Sequence, residues 1–113
     1  TEVAGLSKVD SNLLTVCFLG LSFKANVGDV RNSPALEIVK RCAKLNIHIV
    51  VVDPHVEKPP LDAGNVLKTE DLENAIKAAD LVVVLVDHKE FSEKSSLKLL
   101  RKHKNLIDTR GVV

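Results

Sequence analysis

Four short runs of mostly branched and aromatic residues, Leu14–Leu19, Ile47–Val52, Leu81–Val86 and Leu106–Ile107, most narrowly limit what this chain can fold into. They are apolar at nearly every position, without the alternation that a strand with one wet face would show. That pattern suits parallel strands covered on both sides. Helical patterns lie between the runs. Ser33-Pro34 places an N-cap before a proline at the first helical position, and Ala35, Ile38, Val39 and Cys42 follow at helical spacing. Thr69 is read as the cap of a second helix. Glu70 and Asp71 then sit beside the positive end of its dipole, and Leu72, Ala75, Ile76 and Ala79 form its buried stripe. A third helix is expected from about Ser95 to His103 on Leu97, Leu99 and Leu100, with Arg101, Lys102, His103 and Lys104 as a solvated basic end.

Strands alternating with helices imply right-handed crossovers between parallel neighbours. The expected fold class is therefore α/β, a three-layer α/β/α sandwich with an open parallel sheet, Rossmann-like, with Val66-Leu67 as a short edge strand. A length of 113 residues allows one domain with one core. Thr1 to Asn12 reads as the tail of a preceding linker or helix, and residues 13–113 as the domain. The sequence contains no Met and is expected to be a piece of something longer.

Sixteen Lys and Arg balance fifteen Asp and Glu, so no global field draws the chain to nucleic acid or an anionic membrane, and neither is expected as a partner. Any anion site must be local. No apolar run approaches the length of a membrane span. Cys17 and Cys42 have no C-x-x-C spacing; one falls mid-strand and one on a helical stripe, so both read as inert core thiols in a reducing compartment, the cytoplasm. A G-x-S-x-G elbow, a P-loop and a G-x-G-x-x-G turn are all missing, and Gly20 stands alone. No catalytic set is expected.

Ligands of open parallel sheets bind where loops gather at the carboxyl ends of the strands. After the first strand comes Gly20 to Ser33, roughly twice the usual connection of about 2–6 residues. After the others come Asp53-Pro54-His55, Asp87-His88 and Asp108-Thr109-Arg110-Gly111. Lys24 and Arg110, from different loops, can converge on one phosphate or pyrophosphate; the alternative is that both are solvated. Phe23 either presents its ring to a base or joins the core, and Gly20 permits a sharp turn close to a ligand. Asp29 and Arg31 read as internal braces of the long loop. Asp53 is either an acceptor for a ribose hydroxyl or a turn residue before Pro54, the turn being favoured. His55 and His88 lack H-x-x-x-H spacing, so no metal site is expected, and His48 reads as a partly buried strand residue.

Gly20-Leu-Ser-Phe-Lys24, then Gly28-Asp29-Val-Arg31-Asn-Ser33-Pro34 and Val52-Asp53-Pro54, resemble the C-terminal, UDP-binding domain of the UDP-glucose/GDP-mannose dehydrogenase family, over nearly all of Leu14 to Val113. Leu85-Val-Asp-His88 with Phe91, and Asp108-Thr-Arg110-Gly111-Val112, resemble its UDP-N-acetyl-D-mannosamine dehydrogenase branch more than its UDP-glucose branch. The resemblance implies a parent enzyme that oxidises C6 of a UDP-sugar from alcohol to carboxylate with two NAD, using a cysteine in a central part that this chain does not contain. NAD would be bound mainly by a missing N-terminal domain, with no cofactor inside this chain. By position, Lys24 would contact the sugar nucleotide near its phosphates, Phe23 would line the same pocket, and Arg110 would bind the UDP portion or the sugar. Gly20, Asp29, Arg31 and Ser33 would shape and brace the loop. The implied partners are the UDP-sugar and the N-terminal and central domains of a homo-oligomeric parent, and the chain alone would be inactive.

Other readings remain. One is the UDP-glucose branch of the same family. A phospho-acceptor receiver domain needs an acidic pair after the first strand and a lysine after the last, where this chain has Gly20-Leu21 and Asp108-Thr109. A small dinucleotide-binding regulatory domain would place Asp53 on a ribose.

Overall fold

In the computed structural model, which describes residues 14–22, 26, 30, 33–56 and 64–111, the central strand β1 (Thr15–Leu19) is buried on both faces. Val16 and Phe18 enter one hydrophobic cluster and Cys17 and Leu19 the other, so every residue after Thr15 needs an apolar side chain. The first cluster is closed by Ala35, Leu36 and Val39 of α1 (Pro34–Cys42). The second is closed by Ala75 and Ile76 of α2 (Leu72–Ala78), Leu100 of α3 (Lys94–Lys102), and Phe91 on the short 3-10 turn Lys89–Ser92. These helices make the outer layers of a three-layer α/β/α sandwich. The middle layer is a five-stranded sheet, ordered β3-β2-β1-β4-β5, with β2 at His48–Val52, β3 at Val66–Lys68, β4 at Leu81–Val84 and β5 at Leu106–Asp108. All four neighbouring pairs are parallel.

Local chemistry sets the helix ends. Ser33 caps α1: its hydroxyl oxygen accepts from Leu36 N–H at 3.2 Å, and Pro34 follows where a missing N–H costs nothing. For α2 the cap is Asp71 and not Thr69. The Asp71 carboxylate stands next to the first helical residue and takes the Asn74 N–H at 3.1 Å, whereas Thr69 lies too far back and accepts from Asp71 N–H instead. The third helix begins one residue earlier than expected, at Lys94, and His103 leaves it, one ring nitrogen reaching the Ala79 carbonyl at 2.8 Å.

Ile38 and His48 differ most in exposure from their expected roles. Ile38, placed on the buried stripe of α1, is 42% exposed, and His48 is exposed at the start of β2. Ile38 instead borders an apolar cavity of about 630 Å³ on the α1 side of the sheet, with Leu14, Val16, Phe18, Leu45 and Leu81 also in its wall. Cys17 is fully buried, and burial pushes its thiol up to about 12; Cys42 is only half-buried and also edges this cavity, its thiol raised by desolvation as well. The segment read as a preceding tail, residues 1–12, lies outside the described residues. No helix among the described residues is long and apolar enough to cross a membrane.

The register brings the carboxyl ends of four strands together. Leu19 is level with Val52 and Val84, and Val84 with Asp108, so the chain leaves four adjacent strands at the same height. β4 ends at Val84, before its apolar run does, because Leu85 and Val86 both turn their N–H groups to the Leu19 carbonyl, at 2.9 and 3.2 Å. That turn lays Val86 over Gly20. Gly20 has φ +100°, and a Cβ there would stand 2.5 Å from Val86 Cβ and 2.9 Å from Val86 N. Gly20→Ala therefore meets both a disfavoured backbone region and a clash with main chain, and is expected to lower unfolding free energy by about 2–4 kcal/mol in urea titrations. A loss under about 0.5 kcal/mol, the usual range for a benign surface change, would show that the turn relaxes freely.

Candidate functional site at the carboxyl edge

Asp53, the first residue after β2, is fully buried among main-chain groups of the neighbouring loop. Its Oδ2 accepts from Leu21 N–H at 2.7 Å, from Ser22 N–H at 3.2 Å and from His88 Nε2 at 3.0 Å, and its Oδ1 accepts from His55 N–H at 2.8 Å. Burial alone would raise this carboxyl. The bond from His88 and those from the Leu21 and His55 amides outweigh it, and the net effect holds the group below the usual carboxylate range. A buried carboxylate with four donors is satisfied in place, so Asp53 acts as a brace within the protein, the turn reading extended, and is not presented to a ribose.

His88 carries the brace onward. It too is fully buried, and its Nδ1 accepts the Asn26 N–H at 2.8 Å. A nitrogen that accepts carries no proton, so the ring hydrogen sits on Nε2 and is donated to Asp53. Ser22 Oγ lies 3.2 Å from that same Nε2. A hydrolytic triad needs serine and aspartate on opposite ring nitrogens. Here both face one nitrogen, so the Ser22–His88–Asp53 cluster cannot activate the hydroxyl as a nucleophile. His55 packs against His88 with ring centroids 4.5 Å apart and turns its own Nε2 to Glu90 Oε1 at 3.0 Å. Among the described residues, no three His, Cys, Asp or Glu side chains assemble as metal ligands.

Ser33 closes the loop's far end. Its hydroxyl donates to the Leu21 carbonyl at 2.7 Å, with the Ser22 carbonyl at 3.2 Å, while the same oxygen caps α1. Asn26, at φ +63°, is tied a second time through Oδ1, which accepts from Lys89 N–H at 2.8 Å. On the other flank Arg110 is exposed, its Nε–H donating to the Leu85 carbonyl at 3.1 Å and its N–H to Asp108 Oδ1 at 3.1 Å. Leu85 is itself bonded to Leu19, so Arg110 stands two links from the Gly20 turn. Of the residues named from the sequence, Gly20, Ser33 and Arg110 thus border one rim; Phe23, Lys24, Asp29 and Arg31 lie outside the described residues. Neither Asn26 nor the bracing role of His88 has a signal in its local sequence. The available signal was topological: Asp53 and His88 follow the two strands that flank β1.

The segment after β1 lacks the G-x-G-x-x-G spacing of a dinucleotide turn, and α1 starts only at Pro34, its first turn capped by Ser33. The apolar cavity beside α1 does not suit a diphosphate, since its wall is hydrocarbon apart from Cys42, Lys44 and Asn46.

A carboxylate held low by folding stabilises fully above its unfolded pKa, and that stabilisation is lost as pH falls through the lower folded value. Asp53→Asn should cost about 3 kcal/mol at neutral pH, because the amide sets an N–H₂ group against N–H donors. The gap to the unmutated chain should narrow in thermal melts as pH drops below the carboxylate range. A gap that stays constant would mean that the charge of Asp53 contributes nothing.

Residues 17–113 match the model of the UDP-glucose/GDP-mannose dehydrogenase family, UDP binding domain. The chain is 41% identical over 97 residues to the NDP-N-acetyl-D-galactosaminuronic acid dehydrogenase of Ralstonia solanacearum, covering 85% of this chain and 22% of that one. It is 43% identical over 88 residues to the UDP-N-acetyl-D-mannosamine dehydrogenase of Campylobacter jejuni, covering 75% and 22%. Among solved structures, a UDP-N-acetyl-mannosamine dehydrogenase from Staphylococcus aureus superposes with a TM-score of 0.69 at 34% identity, over 98% of this chain and 26% of that one. The chain spans about a quarter of the length of these relatives. On the match over residues 17–113, it belongs to the UDP-glucose/GDP-mannose dehydrogenase family, within the family's UDP-binding domain.

Proposed function

We propose that this chain is the UDP-sugar-binding, C-terminal domain of an NAD-dependent nucleotide-sugar 6-dehydrogenase whose substrate is UDP-N-acetyl-D-mannosamine. The reading rests chiefly on one observation: the residues matched by the family include a braced turn at Gly20 and an exposed arginine, Arg110, on the same edge of the sheet. Arg110 and Lys24 grip the diphosphate, the guanidinium offering paired planar donors and the ammonium a point charge. Phe23 lines the pocket beside them. Gly20 and Ser33, with Asp29 and Arg31, shape and brace the loop that carries Lys24.

The chemistry lies in the rest of the parent, a homo-oligomer of the cytoplasm that holds NAD and the reactive cysteine in its N-terminal and central domains. This chain contributes binding energy remote from the reacting carbon. Holding UDP fixes the position of C6 relative to groups on the other domains and converts an encounter into an oriented, effectively unimolecular step. A second reading, a substrate of the N-acetyl-D-galactosaminuronic acid type, is favoured by the Ralstonia relative at 41% identity. The UDP-glucose reading is kept by the description of the matched family, and the archaeal UDP-glucose dehydrogenase at 23% identity shares the fold.

Titration calorimetry with UDP is expected to show binding to this chain alone, and the chain with UDP-sugar and NAD is expected to form no NADH. Lys24→Ala and Arg110→Ala should each weaken UDP by about 10- to 100-fold, the equivalent of one charge-assisted contact. Unchanged affinity in both variants would remove these residues from the site.

A further inference from the structure

We infer that His88 is a positioning residue for nucleotide recognition: the acceptor nitrogen of its buried ring fixes the backbone at Asn26, one of two anchored positions that flank Phe23 and Lys24 along the chain. The inference rests on the UDP-binding reading above and assigns a role to a side chain that never touches the ligand.

Three features of the geometry carry it. First, the His88 ring cannot adjust. It is fully buried, bonded through Nε2 to Asp53, and packed between His55 at 4.5 Å and Phe91 at 5.6 Å, ring centre to ring centre. Second, Asn26 is held from two consecutive residues of one distant segment, by His88 Nδ1 on its N–H and by the Lys89 N–H on its Oδ1, both at 2.8 Å. Its left-handed φ of +63° is a conformation that asparagine tolerates better than most residues, and two bonds to a rigid neighbour keep it there. Third, the loop is fixed on the other side of Phe23 and Lys24 as well, because the Leu21 and Ser22 amides are taken by Asp53. One imidazole thus joins both anchors. It donates to the carboxylate that holds residues 21 and 22, and it accepts from residue 26.

The functional consequence is preorganisation. A loop bound to the fold on both sides of its ligand-contacting residues loses less freedom when the ligand arrives, and that saving appears as affinity. A ring that served only the core would need neither the second nitrogen nor the contact to Asn26.

The two nitrogens can be separated by substitution. In His88→Asn, the amide oxygen takes the place of Nδ1 and can still accept the Asn26 N–H, while the bond to Asp53 is lost. In His88→Gln, the amide nitrogen reaches the place of Nε2 and can still donate to Asp53, while the acceptor for Asn26 is lost. Both variants lose the ring contacts, so both should melt at lower temperature. UDP affinity, measured by calorimetry below both melting transitions, is expected to stay within about twofold for His88→Asn and to fall about tenfold for His88→Gln. Equal weakening in the two variants, or none in His88→Gln, would overturn the positioning role and leave the nucleotide reading standing. Absence of UDP binding by the unmutated chain would overturn both. Independently of any variant, nitrogen NMR of the unmutated chain should show an unprotonated His88 Nδ1 coupled through the hydrogen bond to the Asn26 amide. A protonated Nδ1 would refute the inference.

Discussion

The buried carboxylate of Asp53 organises the carboxyl edge of the sheet. Asp53 stands at the end of β2 with no exposure to water, and a bare charge there would be strongly unfavourable. Its four donors come from three parts of the chain: the turn after β1, the turn after β2, and the segment after β4. Because a buried carboxylate requires such partners, it constrains all three segments at once. The loop from Gly20 to Ser33 is therefore part of the folded structure at its near end and at Asn26, though it is too long for an ordinary connection. Sheet register makes this possible, since Leu19, Val52 and Val84 finish level with one another.

Much of the architecture was legible in the sequence, for a definite reason. A strand buried on both faces leaves a continuous apolar run, and Ser33-Pro34 is a helix start whose chemistry is entirely local. The misreadings occurred where the deciding interaction was not in the local pattern. Thr69 and Asp71 both suit a cap, and only the position of the first helical residue decides between them. Ile38 follows the helical repeat but falls beyond the reach of the sheet, at the rim of the apolar cavity. The Asp53–His88 pair spans 35 residues and joins two loop ends that each resemble an ordinary polar turn. Nothing in either short stretch indicates that its polar residue is buried. Strand order supplies that information, and strand order is not a local property. Of the candidate site, Gly20, Ser33 and Arg110 could be named in advance as rim residues, whereas the network that fixes them could not.

The same organisation bears on what this edge can do. Among the described residues the edge offers backbone turns, an exposed guanidinium and a serine at the head of α1, and its Ser22, His88 and Asp53 side chains meet at one ring nitrogen, a geometry that does not activate the Ser22 hydroxyl. Such a site can bind and orient. Its place in a dehydrogenase family, at about a quarter of the length of its relatives, accords with a division of labour in which this domain holds the nucleotide and another carries the reaction. The large apolar cavity lies on the α1 face, toward the amino ends of the strands. It has the wrong chemistry for a diphosphate despite its size.

The central claim, that a nucleotide is gripped at the carboxyl edge and not in the apolar cavity beside α1, is tested most directly by following backbone amide signals while UDP is titrated into isotope-labelled protein. The account predicts shifts concentrated at Gly20 to Ser22, Asn26, Leu85 to Lys89 and Asp108 to Gly111, with Leu45 to Ile47 beside the apolar cavity unmoved. Shifts centred on Leu45 to Ile47 and the adjoining end of α1, with the Gly20 and Arg110 signals unchanged, would contradict it.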